Sequence, residues 1–522
     1  MSGAQTIARL ADWAARRYGD AEALVFDGER WTFEELRDWV DRVARAVLAQ
    51  GVRPGDSVAV WAPNSARWVA AALGAMAAGC VLVPVNTRYK AAEAADILRR
   101  SRARLLFTEH DFLGTDYPAL LAGSGEQLPL LRRTVALHAD GWETFLAGAE
   151  RISPKERLAR TDAVRAGDVG DILFTSGTTG RPKGVPTTHE QTLRVYDAWA
   201  RAVTLQRGDR YLLVNPFFHT FGYKAGIIAC LLHGATIVPE QVFDPATVLG
   251  RMRDERISVL TGAPTVFTSL IQHPGREAYD LGSMRMAGTG AANIPTELIE
   301  RIREFIGARN VFTAYGLTEA TGVVSICRPH ESPQTLASTS GPALEGTELR
   351  IDAPPGEPGE ILTRGYHVMH GYLDDPEATA EAVDADGWLR TGDVGVLDER
   401  GFLRVTDRLK DMLVVGGFNV YPAEVEHVLR GHPAVTDAAV VGAPDERLGE
   451  VGVAYCVPAD GARIDAAELT AYTRERLANF KAPRAFHALP RLPHNAAGKV
   501  DKHALRGLAE AGTRAVAEAN TP

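Results

Sequence analysis

Residues 175–184, TSGTTGRPKG, bring hydroxyl groups, glycines and two positive charges together. The glycines Gly177, Gly180 and Gly184 permit backbone conformations that a Cβ atom forbids. The apolar run ILF at 172–174 comes just before them and predicts a strand that ends there. A strand followed by such a loop is typical of an anion-binding arrangement that suits phosphate. The hydroxyl donors of the loop are Thr175, Ser176, Thr178 and Thr179.

The spacing within this loop argues against one common class of nucleotide-binding protein. A P-loop NTPase needs the pattern G-x-x-x-x-G-K-[ST], whereas Gly177 and Gly180 are three positions apart and Pro182 precedes Lys183. Taken alone, the stretch is more typical of a solvated polar turn than of a binding loop. The rest of the chain has to decide between these two interpretations.

Length, charge and cysteine usage limit the classes of protein that fit. The 522 residues are too many for one hydrophobic core, so we expect two or more domains. The net charge is −9 and no long basic run occurs, so we expect no nucleic-acid partner. The four cysteines lie far apart among apolar neighbours, as buried reduced thiols of a cytoplasmic protein do. Asp12 interrupts the amphipathic N-terminal stretch, which therefore does not resemble an export signal.

Helical and strand patterns alternate through most of the first four hundred residues, which predicts an α/β fold with mixed or parallel sheets. Residues 340–405 change to short strands separated by turn residues, and this predicts a small β-rich section. After Arg408 the alternation restarts as a separate α/β domain of about a hundred residues. The uncharged stretch 68–85 contains Gly74, Gly79 and Pro84, so it predicts a buried helix followed by a buried strand rather than a membrane span.

Five further blocks follow the opening loop in a fixed order. With all six present over nearly the full length, the chain resembles the adenylate-forming acyl-CoA synthetase family. The resemblance implies a large N-terminal domain, residues 1–409, that binds ATP and a carboxylic acid, and a small mobile C-terminal domain, residues 410–522. It also implies two half-reactions: the acid attacks the α-phosphorus of ATP, and coenzyme A then displaces AMP from the acyl-adenylate. The blocks are YGLTE (315–319), GEILTRG (359–365), WLRTGD (388–393), DRLKDMLVVGGFNVYPAEVE (407–426) and PHNAAGKVDK (493–502).

The resemblance assigns the nucleotide contacts residue by residue. The opening loop, including Lys183, would neutralise the β- and γ-phosphates of ATP. Tyr315 would stack on the adenine, Thr318 would donate to the α-phosphate, and Glu319 would hold Mg²⁺, a cation that prefers carboxylate oxygen. Asp393 suits the paired ribose hydroxyls because it is an acceptor only, and Arg408 is the second ribose or phosphate contact. The remaining nucleotide-binding candidates are Gly290, Ala291, Ala292 and Gly316.

The C-terminal blocks carry the residues that the resemblance links to domain alternation. Lys499 matches the family's adenylation lysine, whose point charge would stabilise the negative charge that builds up in the first half-reaction. Lys410 matches the hinge about which the C-terminal domain rotates afterwards. That rotation would present the loop at Gly416 and Gly417, together with Phe418, to the pantetheine arm of coenzyme A.

The segment NPFFHTFGYKAG at 215–226 corresponds to the acyl pocket of the family. His219 most resembles the gate between the acyl site and the coenzyme A tunnel, and a satisfied core histidine is the alternative. Relatives that activate amino acids carry an aspartate here to pair with the substrate ammonium, but residues 217–220 contain no acid, so an amino-acid substrate is not expected. The predicted pocket residues are Phe218, His219, Phe221, Gly222, Lys224, Gly290, Val323 and Val324.

Lys224 departs from the apolar character of this segment and leaves two alternatives open. It forms a salt bridge or reaches solvent, or it meets a carbonyl or a second carboxylate of the substrate. The other pocket candidates are small or apolar and suit a medium-chain fatty acid or a compact ring system. The segment also resembles that of bacterial ligases that activate ring-bearing propanoates from sterol breakdown, so both acids remain open.

Two other functions are compatible with parts of the pattern. A stand-alone adenylation enzyme that loads a carrier-protein phosphopantetheine would share every nucleotide block. A non-catalytic sensor on the same fold would be expected to lose Glu319 or Lys499, and both are present. The sequence therefore favours a carboxylic acid–CoA ligase whose substrates are an acid, ATP and coenzyme A, and it leaves a homodimer open.

Overall fold

The computed structural model describes residues 4–175, 182–290, 294, 296–408, 413–459, 461–493, 500–502 and 504–509, with only the backbone described at 406–408 and 423. The chain divides into two compact units. The larger unit consists of the described parts of Met1–Thr87, Ala94–Phe174 and Gly184–Asp407. The smaller unit consists of the described parts of Arg88–Glu93, Thr175–Lys183 and Arg408–Pro522.

Strands occur along most of the chain. In chain order they are β1 Glu22–Phe26, β2 Glu29–Thr32, β3 Ser57–Trp61, β4 Val81–Pro84, β5 Leu105–Thr108, β6 Arg133–Ala136, β7 Val169–Thr175, β8 Lys183–Thr188, β9 Arg210–Leu213, β10 Thr236–Pro239, β11 Val259–Thr261, β12 Met286–Gly290, β13 Asn310–Tyr315, β14 Ser325–Cys327, β15 Thr347–Asp352, β16 Gly359–Gly365, β17 Leu389–Leu397, β18 Leu403–Arg408, β19 Leu413–Val415, β20 Phe418–Val420, β21 Val435–Asp445, β22 Gly449–Pro458 and β23 Ala485–Ala488.

Helices alternate with these strands, and several begin at side-chain caps. Thr32 and Glu35 form a capping box at the start of α2, and Thr188 and Gln191 form another at the start of α8. The α-helices are α1 Leu10–Tyr18, α2 Phe33–Leu48, α3 Ala66–Ala77, α4 Ala91–Arg100, α5 Tyr117–Gly123, α6 Asp140–Ala147, α7 Pro154–Ala163, α8 His189–Ala202, α9 Ala229–His233, α10 Pro245–Asp254, α11 Pro264–Gln272, α12 Thr296–Arg301, α13 Pro333–Ser338, α14 Pro376–Ala382, α15 Pro422–Arg430 and α16 Ala466–Arg476. Short 3₁₀-helices span Ile7–Arg9, Gly148–Arg151, Arg276–Ala278 and Thr318–Ala320, and π-helices span Phe221–Ile228 and Ile302–Ile306.

Three sheets build the larger unit. An eight-stranded sheet has the order β14-β13-β12-β11-β9-β10-β1-β2; its inner strands run parallel, and β14 and β2 pair antiparallel at the two edges. A six-stranded sheet has the order β6-β5-β3-β4-β7-β8 and is parallel from β6 to β7. A four-stranded sheet, β15-β16-β17-β18, forms the predicted β-rich section.

The smaller unit contains a sheet of its own. Its order is β20-β19-β22-β21, and β23 pairs in parallel with β22. Buried residues of α15 and α16, among them Val425, Leu429 and Leu469, pack with the apolar residues of this sheet. The predicted fold class, α/β with mixed sheets, a small β-rich section and a small C-terminal α/β part, is confirmed.

The stretch 68–85 and the cysteines are placed as the sequence predicts. Helix α3 and strand β4 occupy the stretch, and both are almost entirely buried. All four cysteines are buried and free, and burial raises the pKa of the Cys80 thiol to about 12, so this thiol stays protonated at neutral pH. Within the described ranges, no helix has both the length and the apolar character that a membrane crossing requires.

Candidate active site

Several predicted site residues lie at the carboxyl ends of strands in the eight-stranded sheet. Strands β9, β11, β12 and β13 are parallel neighbours, so their carboxyl ends lie side by side. Gly290 ends β12, Tyr315 ends β13, and His219 lies in the segment that follows β9. Ligands of α/β sheets bind at such carboxyl ends. We call Gly290, residues 315–319 and Asp393 the nucleotide side, and we call His219 and the π-helix Phe221–Ile228 the acyl side.

On the nucleotide side the structure joins two blocks that are far apart in the sequence. The Tyr315 hydroxyl donates to Oδ2 of Asp393 at 2.6 Å. The Asp393 backbone N–H donates to the Thr391 hydroxyl at 3.1 Å, which helps to hold the carboxylate in place. An aromatic ring and a carboxylate in contact form a surface that suits a purine and its ribose.

The turn after Tyr315 requires a glycine for lack of space. A Cβ at Gly316 would lie 2.2 Å from the Gly322 carbonyl oxygen and 2.8 Å from the Val323 Cα. Backbone atoms cannot yield as a flexible side chain can, so a side chain at this position would displace the turn. Gly322 itself has a φ of +96°, a conformation that strongly favours glycine. The turn therefore holds the 3₁₀-helix Thr318–Ala320 close against the segment that returns from it.

Glu319 is oriented by a residue that the sequence reasoning missed. The Tyr372 hydroxyl donates to Oε1 of Glu319 at 3.0 Å, and the Met369 N–H donates to the Glu319 carbonyl at 2.8 Å. Tyr372 lies between two recognised blocks, in HGYLDDP, and is a single aromatic residue in a loop, so only its contact with Glu319 marks it as part of the site.

The described residues offer a cation few protein ligands at this site. In the portion of the chain that the structure describes, no group of three or more histidine, cysteine or acidic side chains is placed to hold a metal ion. Mg²⁺ is commonly held by one or two carboxylates together with substrate phosphates. Glu319, a half-buried carboxylate on the nucleotide side, fits that mode of binding.

The ends of the opening loop are described, but most of the loop is not. Thr175 ends β7, Lys183 begins β8, and these strands are neighbours in the six-stranded sheet. The Thr175 hydroxyl lies 3.4 Å from the Lys183 carbonyl oxygen, so the loop leaves and re-enters the sheet at adjacent points. The predicted phosphate contacts that lie outside the described residues are Ser176, Gly177, Thr178, Thr179 and Gly180.

His219 lies at the surface on the acyl side. Its side chain is exposed to solvent, yet desolvation by the surrounding protein lowers its pKa. Its Nδ1 accepts the Phe221 N–H at 3.3 Å, so the neutral ring carries its proton on Nε2. This environment is compatible with a gate, and that role stays a prediction.

The helix after His219 is a π-helix, a rare form that often occurs at functional sites. A Cβ at Gly222 would lie 2.2 Å from the Pro216 carbonyl oxygen, so this helix and the preceding turn approach each other through a glycine. Phe221 contacts Trp199 edge to face, with ring centroids 6.0 Å apart. Phe218 and Phe221 are half-buried.

The other predicted pocket residues differ in how they are placed. Val323 and Val324 are buried, and the Val324 N–H donates to the Tyr315 carbonyl at 2.8 Å. Gly290 pairs with Ala314 at the ends of β12 and β13, where a Cβ would lie 2.9 Å from the Ala314 carbonyl oxygen. Ala291 and Ala292 lie outside the described residues.

Lys224 forms the salt bridge that was one of its two predicted alternatives. Its Nζ lies 2.9 Å from Oδ1 of Asp171 on β7, and both side chains are 0% exposed. Burial lowers the pKa of Lys224 and raises the pKa of Asp171, while each charge partly offsets this shift in the other. Its predicted contact with substrate has no support from this geometry, because the ammonium is engaged within the protein.

In the smaller unit, the predicted coenzyme A loop forms a tight hairpin. Gly416 and Gly417 join β19 to β20 with φ values of +58° and +83°, the positive pair that a two-residue type I′ turn requires. Phe418 packs on Phe480 with ring centroids 4.9 Å apart.

Three cations that carry predicted roles are only partly covered by the structure. Lys410 and Lys499 lie outside the described residues, and Arg408 is described by its backbone alone, as the last residue of β18. The base of the segment that contains Lys499 is described. There the Asp501 N–H donates to the Pro493 carbonyl at 2.8 Å, and Lys502 pairs with Glu426 at 2.8 Å.

Two family profiles match the chain. One is described as AMP-binding enzyme and matches residues 11–373; the other is described as AMP-binding enzyme C-terminal domain and matches residues 424–499. Three of the six blocks lie within the first matched region, two overlap the second, and WLRTGD lies between the two regions.

Two similar proteins share half of their residues with this chain. A 3-[(3aS,4S,7aS)-7a-methyl-1,5-dioxo-octahydro-1H-inden-4-yl]propanoyl:CoA ligase from Rhodococcus jostii strain RHA1 is 50% identical over 502 residues, which cover 94% of this chain and 96% of that protein. A ligase of the same name from Mycobacterium tuberculosis strain H37Rv is 50% identical over 509 residues, covering 97% and 99%.

A solved structure supports the fold. A double mutant of o-succinylbenzoate CoA synthetase from Bacillus subtilis, bound with its product analogue, matches with a TM-score of 0.81 and 30% identity. The match covers 96% of this chain and 98% of that chain.

Proposed function

We propose, from the premise that this chain belongs to the AMP-binding enzyme family and is an acyl-CoA synthetase, that its acid substrate is a ring-bearing propanoate. The observation that carries the proposal is the 50% identity, over nearly the whole chain, to two ligases named for an octahydroindenyl propanoate. A medium-chain fatty acid is the competing substrate.

The acyl side supports an acid with no charge besides its reacting carboxylate. Residues 217–220 contain no acid, and the ammonium of Lys224 is engaged by Asp171. A substrate ammonium would therefore find no partner in this segment, and burying it unpaired would be costly. The aromatic edges of Phe218 and Phe221 suit a compact hydrocarbon ring.

In the first half-reaction we assign the nucleotide side to ATP. Tyr315 supplies the face on which adenine stacks, and Asp393 accepts the ribose hydroxyls. Lys183 and the loop before it neutralise the phosphates, and Thr318 donates to the α-phosphate. A carboxylate oxygen of the acid attacks the α-phosphorus, the bond to the bridging oxygen breaks, and pyrophosphate leaves with that electron pair. Lys499 would stabilise the negative charge of this step.

Magnesium is part of this proposal. Glu319 would hold the ion, with Tyr372 fixing the orientation of the carboxylate. When bound, Mg²⁺ neutralises phosphate charge and orients the leaving pyrophosphate.

In the second half-reaction the thiol of coenzyme A attacks the acyl carbonyl carbon, and AMP leaves. We propose residues 1–409 and 410–522 as the two domains of this cycle, with Lys410 as the hinge. The Gly416-Gly417 turn would let the thin pantetheine chain pass because it has no side chains. Free coenzyme A is the proposed acceptor, and a carrier-protein phosphopantetheine is the alternative.

The place and assembly of the enzyme are also proposals. Four buried, free cysteines suit the reducing cytoplasm. A homodimer is tested by light scattering of the purified protein. A mass of about 56 kDa, that of one chain, would exclude it.

A pyrophosphate-release assay over a panel of acids tests the substrate. The panel contains a bicyclic diketo-propanoate, the matching saturated bicyclic propanoate, octanoate, decanoate, ferulate and phenylalanine. We expect kcat/KM for the bicyclic propanoates to exceed that for the straight chains by at least about 10-fold, since a shaped pocket gains roughly 1.4 kcal/mol per tenfold preference. A kcat/KM for octanoate equal to or above that for the bicyclic propanoates would overturn the proposal. Formation of acyl-CoA from free coenzyme A, measured in parallel, distinguishes coenzyme A from a carrier protein as the acceptor.

A further inference from the structure

The Asp171–Lys224 ion pair joins two elements that serve different substrates of the proposed reaction. Asp171 lies on β7, the strand that ends at Thr175 and leads into the phosphate loop. Lys224 lies within the π-helix of the acyl side, five residues after His219. Its Nζ is 2.9 Å from Oδ1 of Asp171, and neither side chain has any exposed surface. The pair therefore connects the two elements directly through the interior.

The pair is poorly suited to be a device for stability. Neither the ammonium nor either carboxylate oxygen makes a hydrogen bond of ordinary geometry in the described part of the chain, although the two charges touch. Two desolvated charges with little hydrogen bonding recover only part of their lost hydration. Apolar residues of similar volume at these positions would often be as stable or more so. An ion pair that does not stabilise the fold can instead position the two elements that it joins.

The contacts continue from the pair to the nucleotide side. The Thr187 and Thr192 hydroxyls lie close enough to Asp171 to oppose the rise in its pKa that burial causes. Thr192 is on α8, one helical turn before Tyr196, whose hydroxyl donates to the Thr321 carbonyl at 2.9 Å. Thr321 directly follows the 3₁₀-helix that carries Thr318 and Glu319.

We define five buried residues of these elements, Lys224, Asp171, Thr192, Tyr196 and Thr321, as the polar bridge. It runs from the π-helix of the acyl side, through β7 and α8, to the turn of the nucleotide side. All five residues are buried, and a close-packed interior transmits small displacements because it does not absorb them.

We propose that the Asp171–Lys224 pair is a positioning device that holds the acyl side at a fixed distance from the nucleotide side, so that the acid carboxylate meets the α-phosphate in line. The pair touches neither substrate. It acts through the π-helix and through α8, and it matters for the half-reaction in which the acid and ATP must react. The inference rests on the adenylation step of the proposed function and does not depend on which acid is activated.

The test uses the double variant Asp171→Asn with Lys224→Met. Both charges are removed together, Met keeps much of the length of Lys, and Asn keeps the shape of Asp. We expect a melting temperature within about 3 °C of the native enzyme, because no charge is left buried without a partner. We also expect kcat for pyrophosphate release to fall at least about 10-fold, because misplacing the reacting atoms weakens their alignment.

Two further measurements distinguish a positioning role from other roles. One is the rate of thioester formation, and the other is adenylation of a second acid. Thioester formation from supplied acyl-adenylate should stay within about 2-fold of native, because the α-phosphate has already reacted. The loss in adenylation should be the same for an acid with a remote ketone and for its saturated counterpart. A loss confined to the keto acid would mean that Lys224 contacts substrate and would overturn the proposal. Equal losses in both half-reactions, or native adenylation, would also overturn it.

Two further variants keep the test decisive if the double variant does not fold. Tyr196→Phe removes only the hydroxyl that meets Thr321, and it should lower adenylation severalfold while thioester formation stays native. Arg157→Met is the control. It breaks ion pairs to Asp12 and Asp41 on other helices, so it should lower the melting temperature without changing the ratio of the two half-reactions. A changed ratio in Arg157→Met, or an unchanged one in Tyr196→Phe, would contradict the proposal.

Discussion

The nucleotide side and the acyl side of the candidate active site are built in different ways. The nucleotide side consists of residues at the ends of β12 and β13 and in the turn that follows, held by backbone contacts and by the Tyr315–Asp393 hydrogen bond. The acyl side consists of a segment after β9 and a π-helix, held by aromatic packing and by the buried Asp171–Lys224 pair. The nucleotide side is thus set by strand ends and their turn, and the acyl side by aromatic packing and a buried ion pair.

The difference matches the chemistry that each side is proposed to serve. ATP is the same in every member of the family, so a turn with room for no side chain can serve all of them. The acid differs between members, so the acyl side needs a shape that packing partners elsewhere in the chain can adjust. The comparison therefore predicts that equal local damage to the two sides has different kinetic consequences.

The largest effect is expected for Lys499→Ala, because this charge serves the reacting atoms that both sides bring together. Adenylation should fall by on the order of 100-fold or more, as for the loss of other preorganised charges, while thioester formation from supplied acyl-adenylate is retained. Single-turnover pyrophosphate release and acyl-CoA formation measure the two steps. Equal damage to both steps would contradict the assigned role.

A matched pair of glycine substitutions compares the two sides directly. A Cβ would lie 2.2 Å from a backbone carbonyl oxygen both at Gly316, on the nucleotide side, and at Gly222, on the acyl side. Gly316→Ala should lower kcat/KM for ATP, and Gly222→Ala should lower kcat/KM for the acid, each by roughly 10- to 100-fold, because a shift of about 1 Å disrupts alignment.

The control for this pair is Gly141→Ala. A Cβ there meets no atom within 4 Å, and the residue lies in the first turn of α6, where alanine is the better helix former. Both kinetic parameters should remain native. If Gly316→Ala and Gly222→Ala changed kcat/KM for ATP and for the acid in the same way, the comparison of the two sides would be contradicted.

A smaller effect is expected for Tyr315→Phe. The ring that stacks on adenine is kept, but Asp393 loses its 2.6 Å hydrogen bond. Losing this half-buried hydrogen bond to a carboxylate should weaken ATP binding by about 1 kcal/mol, which corresponds to a rise of about 5-fold in KM for ATP. Initial rates over a range of ATP concentrations measure it. A change in KM for the acid alone would contradict the assignment of Tyr315 to the nucleotide side.

The smallest effect is expected for His219→Phe. Desolvation lowers the pKa of His219 from its usual value, so the neutral ring predominates at pH 7. A neutral gate acts by shape, and phenylalanine preserves an aromatic ring, so thioester formation should change by less than about 3-fold. Its rate should also show the same pH profile between 6 and 8. A loss of about 100-fold with a lost titration would instead indicate acid–base catalysis.

The nucleotide side could be predicted from the sequence largely because its residues fall in short ordered blocks. The resemblance selected Tyr315 and Asp393, and the structure brings them into contact although 78 positions separate them. The α/β fold could likewise be predicted, because alternating hydrophobic patterns report sheets and helices through local periodicity. The roles of these residues in binding remain predictions.

The acyl side could not be predicted to the same depth, for a physical reason. Asp171 looks like one residue of a strand, and nothing in its local sequence indicates that Lys224 meets it in the interior. One contact of the nucleotide side was missed for the same reason, because Tyr372 reaches Glu319 from a loop outside the quoted blocks. The π-helix depends on one widened turn, which hydrophobic periodicity does not distinguish from an α-helix. Each of these features is set by tertiary contacts.

The most direct test of the account follows oxygen in a single turnover. The enzyme is mixed with ATP, coenzyme A and a bicyclic propanoate whose carboxylate oxygens are both ¹⁸O, and the products are weighed by mass spectrometry. The account predicts ring-bearing acyl-CoA with one ¹⁸O and AMP with the other, because the carboxylate oxygen that attacks the α-phosphorus leaves with AMP. AMP without ¹⁸O, label in a released phosphate, or no acyl-CoA from this acid while decanoate is converted would contradict it.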